Sequence, residues 1–354
     1  MASKQKLAAL LGVSLRDLLF LLKQPDNYRL WGLPHRRRDA LAGIPHKPRD
    51  IQQPKPLLAL LHRRLAVLLG RIEKPAYVYS ATKSRSYLDN AKQHATNHRA
   101  VKVDIKNFYP NVKRKFVRDF FGRELKCAPD VAHVLTDLCC LDTVPGSALP
   151  TGSAASPVLS FFACSAMFRE IAELANRHGL TFTLYVDDMV FSGEKANRNF
   201  TTLVVHALAK NGFVGHKITH FGSNTIKIIT GVAVSSGNVD LPHRRQRRIR
   251  KFEEAFWASK NHDDIQLLGI TLLGQYREAE RIKSGSKLRA LPIVARLEKL
   301  GLATTGVGAT TANPKKPRGK RVSAKRFATL REAATRAAAP AASDTIAGSV
   351  AEAA

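Results

Sequence analysis

The chain has 354 residues, and its 57 Lys and Arg against 28 Asp and Glu give a formal net charge of +29 at pH 7. Hydrophobic residues make up 44% of the sequence, which excludes wholesale disorder, and no apolar run approaches the ~20 residues that a membrane span needs. A charge this large indicates a polyanionic partner. Nucleic acid is favoured, because we find no basic amphipathic helix or anchor suited to a lipid surface.

The leucine-rich stretch at 7–22 contains Arg16 and Asp17 and is followed by no small-residue cleavage site, which argues against a signal peptide. The cysteines lack metal-ligand spacing: Cys127, Cys139, Cys140 and Cys164. A chain of this size has no need of disulfides, so we interpret the cysteines as reduced core residues of a cytoplasmic protein.

Apolar periodicity and capping residues predict three helices in the first hundred residues: 15–23, 54–70 and 86–97. Ser14 and Asp17 form a capping-box pattern for the first helix, and Gly70 is placed to cap the end of the second. The basic, proline-studded segment at 29–53 predicts short strands or loops that present cations.

The next predicted element is a strand at 101–105, where apolar and polar residues alternate and Asp104 lies opposite the core face. A long helix is predicted at 157–178, with Ser156 as its N-cap. The segment 180–192 is apolar on both sides of Asp187-Asp188, which predicts a hairpin with the acidic pair at or beside its turn.

A second strand pair is predicted near 225–235 and after 238. The pattern from 243 to 300 is helical and very basic. Residues 302–354 contain almost no large apolar side chains and have a basic first half, so they are predicted to be disordered.

Three carboxylates stand out: Asp104 on its strand, and Asp187 and Asp188 in the hairpin. Adjacent carboxylates are expensive unless they are solvated or neutralised by a cation. A solvated turn pair is the simpler interpretation, but the apolar flanks and the basic chain favour a hard divalent cation such as Mg²⁺. Two such ions can clamp the attacking hydroxyl and the leaving pyrophosphate in nucleotidyl transfer.

Three motifs in order resemble those of reverse transcriptases. Y-V-D-D at 185–188 resembles the Y-x-D-D box, and D-I-K-N-F-Y at 104–109 resembles the first carboxylate motif of the same palm. L-P-T-G-S-A-A-S-P at 149–157 is similar to the intervening L-P-Q-G-x-x-x-S-P motif.

Further elements resemble bacterial retron reverse transcriptases in particular. N-A-K-Q-H at 90–94 matches the N-A-x-x-H element, I-T-G at 229–231 stands where that family has V-T-G, and R-D-I-Q-Q-P at 49–54 resembles its R-x-I-x-x-P fingers element. The opening helix is also similar, so the resemblance covers about residues 5–300.

The resemblance implies an α+β fold, the right hand of polymerases. Its parts would be fingers with N-terminal helices at 1–100, a palm with an antiparallel sheet and the catalytic aspartates at 101–240, a helical basic thumb at 241–301, and a disordered tail at 302–354.

The resemblance also implies roles for single residues. Asp104, Asp187 and Asp188 would be catalytic and would hold two Mg²⁺ ions, with Mn²⁺ as a substitute. Tyr109 falls at the steric-gate position, which implies dNTP substrates.

The remaining dNTP-binding residues implied by the family are Arg49, Lys47, Thr151, Gly152 and Lys217. Arg49, with Lys47, would pair with the triphosphate, Lys217 would protonate pyrophosphate, and Gly152 would let the backbone approach the nucleotide. Thr151 replaces the family's usual Gln, which puts substrate discrimination in question; Val186 for Ala and Ile229 for Val should be tolerated.

The run at 241–251 is basic on nearly all faces of a helix, which suits the phosphates of a structured RNA or an RNA–DNA hybrid. Its predicted RNA-binding residues are Arg244, Arg245, Arg247, Arg248, Arg250 and Lys251. Asn90 and His94 are one helical turn apart and could contact RNA or brace the palm. His262-Asp263-Asp264 predicts the cap of a thumb helix rather than a metal site.

The predicted function is RNA-directed DNA synthesis of retron type. Its partners would be dNTPs, a structured noncoding RNA that serves as template and primer, the RNA–DNA product and a separate effector protein, with a role in anti-phage defence and no membrane. The alternatives are another defence-associated bacterial reverse transcriptase, with protein priming or repetitive-DNA synthesis, and a catalytically silent RNA-binding protein. A group II intron maturase is disfavoured, because the chain has no obvious maturase extension.

Overall fold

The computed structural model describes residues 2–24, 26–142 and 146–304. Helices surround antiparallel sheets, which confirms the α+β prediction. The predicted disordered tail lies, except for its first three residues, outside the described residues. Among the described residues, no helix is both long enough and apolar enough to cross a membrane.

The N-terminal part combines helices with a two-stranded antiparallel sheet: α1 (Lys4–Leu11), α2 (Leu15–Lys23), β1 (Tyr28–Gly32), α3 (Arg37–Leu41), β2 (Asp50–Pro54), α4 (Pro56–Leu69) and α5 (Tyr87–Lys92). The Ser14 side chain accepts a hydrogen bond from Asp17 N, so α2 begins as predicted. Gly70 follows α4 in an ordinary helical conformation, and α5 ends at Lys92, five residues before the predicted end at 97.

The central part carries the largest sheet: β3 (Ala100–Ile105), α6 (Phe108–Asn111), α7 (Arg114–Asp119), α8 (Pro129–Cys139), α9 (Ser156–Ala163), α10 (Ser165–Arg177), β4 (Thr181–Tyr185), β5 (Asp188–Ser192), α11 (Arg198–Lys210) and β6 (Gly215–Phe221). The strand order is β4-β5-β3-β6, and every neighbouring pair is antiparallel. The hairpin prediction is therefore confirmed.

The prediction of one helix at 157–178 was wrong. The backbone leaves helical geometry at Cys164 (φ −110°, ψ 17°), which separates α9 from α10. Ser156 lies inside α9, where its hydroxyl donates to Pro150 O at 2.7 Å instead of capping the helix. An apolar pattern could not reveal this break, because both helices bury apolar side chains in the same core.

The C-terminal part, as far as the structure describes it, contains a small antiparallel sheet, three α-helices and a short 3-10 helix at Ser286–Ala290: β7 (Lys227–Ile229), β8 (Val232–Ser235), β9 (Asn238–Asp240), α12 (His243–Ala258), α13 (His262–Glu280) and α14 (Leu291–Lys299). Asn261 caps α13 by accepting from Asp263 N and Asp264 N, so His262-Asp263-Asp264 does begin a helix.

Two hydrophobic cores hold these elements. The larger one joins α1, α2 and α4 to the helices of the central part and to strands β3, β4 and β5 of its sheet. The second joins the β7–β8 sheet to α12, α13 and α14, and it also takes in Ala42 and Val190 from earlier parts of the chain. All four cysteines are unpaired and buried, as predicted.

Candidate functional site

The turn between β4 and β5 places Asp187 and Asp188 at one end of the central sheet. Tyr185 pairs with Asp188, so only Val186 and Asp187 form the turn. Val186 has φ +63°, a conformation that strains a β-branched residue. The strained turn is held from both sides, because Val186 N donates to Ser80 Oγ (2.9 Å) and Ile105 N donates to Asp187 O (3.0 Å).

Asp104 lies directly opposite Asp188 in the ladder between β3 and β5. Residues paired in this way have Cβ atoms about 5 Å apart. The strand register therefore brings together, at one end of the sheet, the three aspartates that are distant in sequence.

Lysines contact two of the three carboxylates. Lys217 Nζ lies 3.2 Å from Asp104 Oδ2, and Lys102 Nζ lies 2.7 Å from Asp188 Oδ2. His216 is 3.6 Å from the other oxygen of Asp104. Asp187 has no ion pair of this kind among the described residues.

The environment makes ionisation of Asp187 costly. Burial, followed by the negative charge of Asp104, raises the pKa of Asp187 to about 6. Burial also raises the pKa of Asp188, and the adjacent Lys102 opposes that rise. A carboxylate that remains uncompensated in such a place is suited to receive a cation.

Carboxylate oxygens are ligands that a hard divalent cation prefers. Asp188 Oδ1 is buried and has no hydrogen-bond partner among the residues that the structure describes. Within the described residues, however, no three His, Cys, Asp or Glu side chains form a ready-made metal cluster. Mg²⁺ is commonly held by one or two protein carboxylates together with substrate phosphates, so a partial set of ligands suits it.

The predicted steric-gate residue lies beside the acidic group. Tyr109 belongs to α6, which begins after Asn107 turns the chain at φ +49°. Burial and then the charge of Asp187 raise the pKa of Tyr109, so its phenol is neutral and near that carboxylate.

Thr151 and Gly152 dock on β2. Gly152 N donates to Gln52 O (3.0 Å), and Gln52 N donates to Thr151 Oγ1 (3.2 Å). A Cβ on Gly152 would lie 2.6 Å from Gln52 O. The structure thus requires glycine here for contact with β2, a reason that differs from the nucleotide approach that we predicted.

Residues predicted to bind the triphosphate and residues predicted to bind RNA line one open, basic cavity of about 580 Å³. The cavity lies between the 33–49 segment and α12. Its cations are Arg36, Lys47, Arg49, Arg244, Arg247, Arg248 and Lys251. We call this cavity the basic basin. Among the described residues that line it, the one acid is Asp39, which accepts a hydrogen bond from Arg248 (2.7 Å).

The comparisons with known proteins agree with the motifs. The chain is 26% identical to the retron Se72 reverse transcriptase of Salmonella heidelberg (strain 579083-10), over 70% of this chain and 66% of that protein. It is 26% identical to the Escherichia coli retron Ec48 reverse transcriptase, over 70% of this chain and 62% of that protein. It is 25% identical to the Escherichia coli retron Ec86 reverse transcriptase, over 81% of this chain and 87% of that protein. The chain therefore spans just under two thirds of the first two relatives.

The chain is related to the retron reverse transcriptases. The predicted resemblance to bacterial retron reverse transcriptases is confirmed. No family model matches the chain. The solved foamy viral protease-reverse transcriptase dRH in complex with ds DNA superposes with a TM-score of 0.43 at 13% identity, over 87% of this chain and 43% of that chain.

Two residues of this chain that were predicted to bind RNA are inaccessible. Asn90 and His94 are 0% exposed. The His94 ring bonds Ser192 Oγ and Thr183 Oγ1, both at 2.7 Å, and so links β5 to β4. The RNA-contact prediction is corrected for both side chains, and the bracing alternative is the one that the geometry supports.

The basic helix divides its cations among several surfaces. Arg244, Arg247, Arg248 and Lys251 line the basic basin, whereas Arg245 lies 3.9 Å from Glu278 and Arg250 lines a separate cavity beside Glu253. The six cations therefore do not form one face.

Sequence reasoning missed Lys102 and His62. Lys102 lies two residues before Asp104 on the polar face of β3, so the period of two places it on that face but does not reveal its contact with Asp188. His62 is buried in α4 and bonds Ser153 Oγ and Leu138 O, both at 2.7 Å, and thereby fixes the loop that carries Gly152. No sequence signal pointed to this contact.

Proposed function

We propose that this chain is an RNA-directed DNA polymerase of retron type that extends DNA from dNTPs by two-metal nucleotidyl transfer. The observation that carries the proposal is the convergence of Asp104, Asp187 and Asp188 at one end of the sheet, in a chain related to retron reverse transcriptases over 70–81% of its length.

In this proposal the three carboxylates hold Mg²⁺, or Mn²⁺ in its place, when the nucleotide binds. The bound ions would supply positive charge that stabilises the attacking and leaving oxygens. The protein groups position the reactants: Tyr109 lies below the sugar, and Arg49, Lys47 and Lys217 face the phosphates. Thr151 and Gly152, docked on β2, complete the nucleotide pocket.

The segments take the names of the polymerase hand in the same proposal: fingers for 1–100, palm for 101–240, thumb for 241–301 and a tail for 302–354. The basic basin between fingers and thumb would bind the backbone of a structured noncoding RNA and its RNA–DNA product. Its seven cations and one paired acid support a polyanion there.

Relatedness to retron enzymes also supports a cytoplasmic, anti-phage role with a separate effector protein. Unpaired, buried cysteines agree with a reducing compartment. Protein priming or repetitive-DNA synthesis is the alternative for an active enzyme, and silent RNA binding is the alternative for an inactive one.

The test uses the full chain purified with the RNA that accompanies it, together with labelled dNTPs and Mg²⁺. The double variant Asp187→Asn/Asp188→Asn is the matched control. We expect a discrete DNA covalently joined to RNA, absent from the control. DNA whose mobility shifts only after protease treatment would indicate protein priming instead of RNA priming. Bound RNA with no DNA product from the wild type would overturn the polymerase proposal.

A further inference from the structure

Lys102 lies on the inner strand β3 of the central sheet, close to the carboxylates proposed as catalytic. It lies on β3 two residues before Asp104, and therefore on the same face of the sheet. Its partners across the two ladders are Val190 on β5 and Thr219 on β6. Lys102 is thus built into the sheet rather than attached to a loop.

The contact of Lys102 with Asp188 is close and partly shielded from water. Nζ lies 2.7 Å from Asp188 Oδ2, and the two side chains are 24% and 18% exposed. By contrast, Lys217, which contacts Asp104 at 3.2 Å, is 69% exposed. A shielded ion pair in a sheet orients its carboxylate more firmly than an exposed one, because less water competes for either charge.

The pairing leaves a defined part of Asp188 free. Only Oδ2 contacts Lys102, whereas Oδ1 is buried with no hydrogen-bond partner in the described residues. Lys102, Lys217 and His216 contact Asp188 and Asp104, whereas Asp187 has no cation in contact within the described part of the chain.

We propose that Lys102 is a positioning residue. Its ammonium group acts as a built-in cation that orients Asp188 and weakens the affinity of the three carboxylates for a divalent metal ion. This inference rests on the proposed function. Lys102 fixes Oδ2, so that Oδ1 points in one direction, and its charge opposes any second cation that enters. The site therefore binds metal weakly until a nucleotide brings its own phosphates.

The test compares Lys102→Met and Lys102→Arg with Lys115→Met, which removes one charge from an exposed position on α7. Mn²⁺ binding to each protein without nucleic acid is measured by electron paramagnetic resonance, and thermal unfolding is followed in EDTA and in Mg²⁺. Neither readout requires DNA synthesis.

We expect Lys102→Met to bind Mn²⁺ about tenfold more tightly than wild type, since one unit charge is removed from a partly shielded site. Its unfolding temperature should fall in EDTA and recover in Mg²⁺, because metal replaces the lost counter-charge. Lys102→Arg and Lys115→Met should bind Mn²⁺ like the wild type.

The inference would be overturned if Lys102→Met and Lys115→Met bound Mn²⁺ with affinities within twofold of each other. If Lys102→Met does not fold, Lys102→Gln takes its place with the same expectations. Failure of the proposed function would appear separately, as a wild type that incorporates no dNTP while the Mn²⁺ difference persists.

Discussion

Asp39 on α3 accepts a 2.7 Å hydrogen bond from Arg248 on α12, and this pair joins the N-terminal part of the chain to the C-terminal helices. A second pair crosses the same boundary, with the arginine now on the N-terminal side: Arg37 on α3 lies 2.8 Å from Asp264 on α13. Lys251 Nζ also donates to Gly43 O. The 33–49 segment is thus attached to two C-terminal helices along one edge of the basic basin.

The Asp39–Arg248 pair should contribute only modestly to stability. Arg248 is 44% exposed, so we expect a coupling energy of about 0.5–1 kcal/mol between Asp39→Ala and Arg248→Ala. The measurement is a double-mutant cycle in urea unfolding at low and high salt. A coupling of zero at low salt would contradict the attachment of α3 to α12 through this pair.

Two buried histidines should make the protein less stable in mild acid. Burial lowers the pKa of His62 to about 4, and burial with the charge of Lys227 lowers that of His94 to about 3. Because the unfolded chain takes up these protons near pH 6.5, stability is complete above pH 6.5 and falls as the pH drops towards 4, by roughly 3 kcal/mol for His62 alone. Urea unfolding from pH 7.5 to 4.5 measures the loss.

His98 is the matched control for that titration. Its side chain is 53% exposed. His62→Gln should reduce the acid dependence of stability by roughly half, because His94 still contributes, whereas His98→Gln should leave it unchanged. An equally steep profile in both variants would show that other groups cause the acid sensitivity.

Gly152→Ala should destabilise the protein by about 1–3 kcal/mol, the usual cost of overpacking. The added Cβ would meet the Gln52 carbonyl oxygen at 2.6 Å, and this backbone atom cannot move without shifting β2. Gly274→Ala on α13 is the control, since a Cβ at that position would meet nothing within 4 Å. This variant should raise the free energy of unfolding by about 0.5–1 kcal/mol. Chemical unfolding of both variants gives the comparison.

The sequence predicted local patterns better than long-range contacts. The strand carrying Asp104 and the hairpin carrying Asp187 follow from alternation and apolar flanks, and both are confirmed. β6 was not predicted, because its residues are mostly polar and exposed and only the ladder with β3 makes them a strand.

The site shows the same division. Motif order placed the three aspartates together, but no spacing rule revealed that Lys102 would meet Asp188. His94 was left open between two roles, because a helical period says which residues share a face and not whether that face is buried. Only packing against Ser192 and Thr183 decides its role as a brace.

Arginines of the basic basin should contribute to nucleic-acid affinity through phosphates. Arg247→Ala should weaken binding to unrelated RNA sequences alike and reduce the slope of log affinity against log salt by about one. Arg289→Ala is the control, because Arg289 lines a different cavity and lies 3.4 Å from Glu253. Fluorescence anisotropy across a salt series measures both slopes, and equal slopes would contradict a phosphate contact at Arg247.

Asp187→Asn should abolish DNA synthesis and yet stabilise the metal-free protein. The wild-type carboxylate has its pKa raised to about 6, so above that pH the folded state keeps an unfavourable charge that asparagine lacks. The expected gain at pH 7.5 is about 1–2 kcal/mol, reduced from the full shift by residual solvent contact. Because protonation removes the same cost from the wild type, the gain should vanish as the pH falls from 6 to 4.

Asp263→Asn is the control, at the exposed first turn of α13. This variant should instead lose up to about 0.5 kcal/mol of stability, since it removes a charge that favours the helix N-terminus. Urea unfolding in EDTA separates the two signs, and a destabilised Asp187→Asn at pH 7.5 would mean that the carboxylate is compensated by neighbours other than a metal ion.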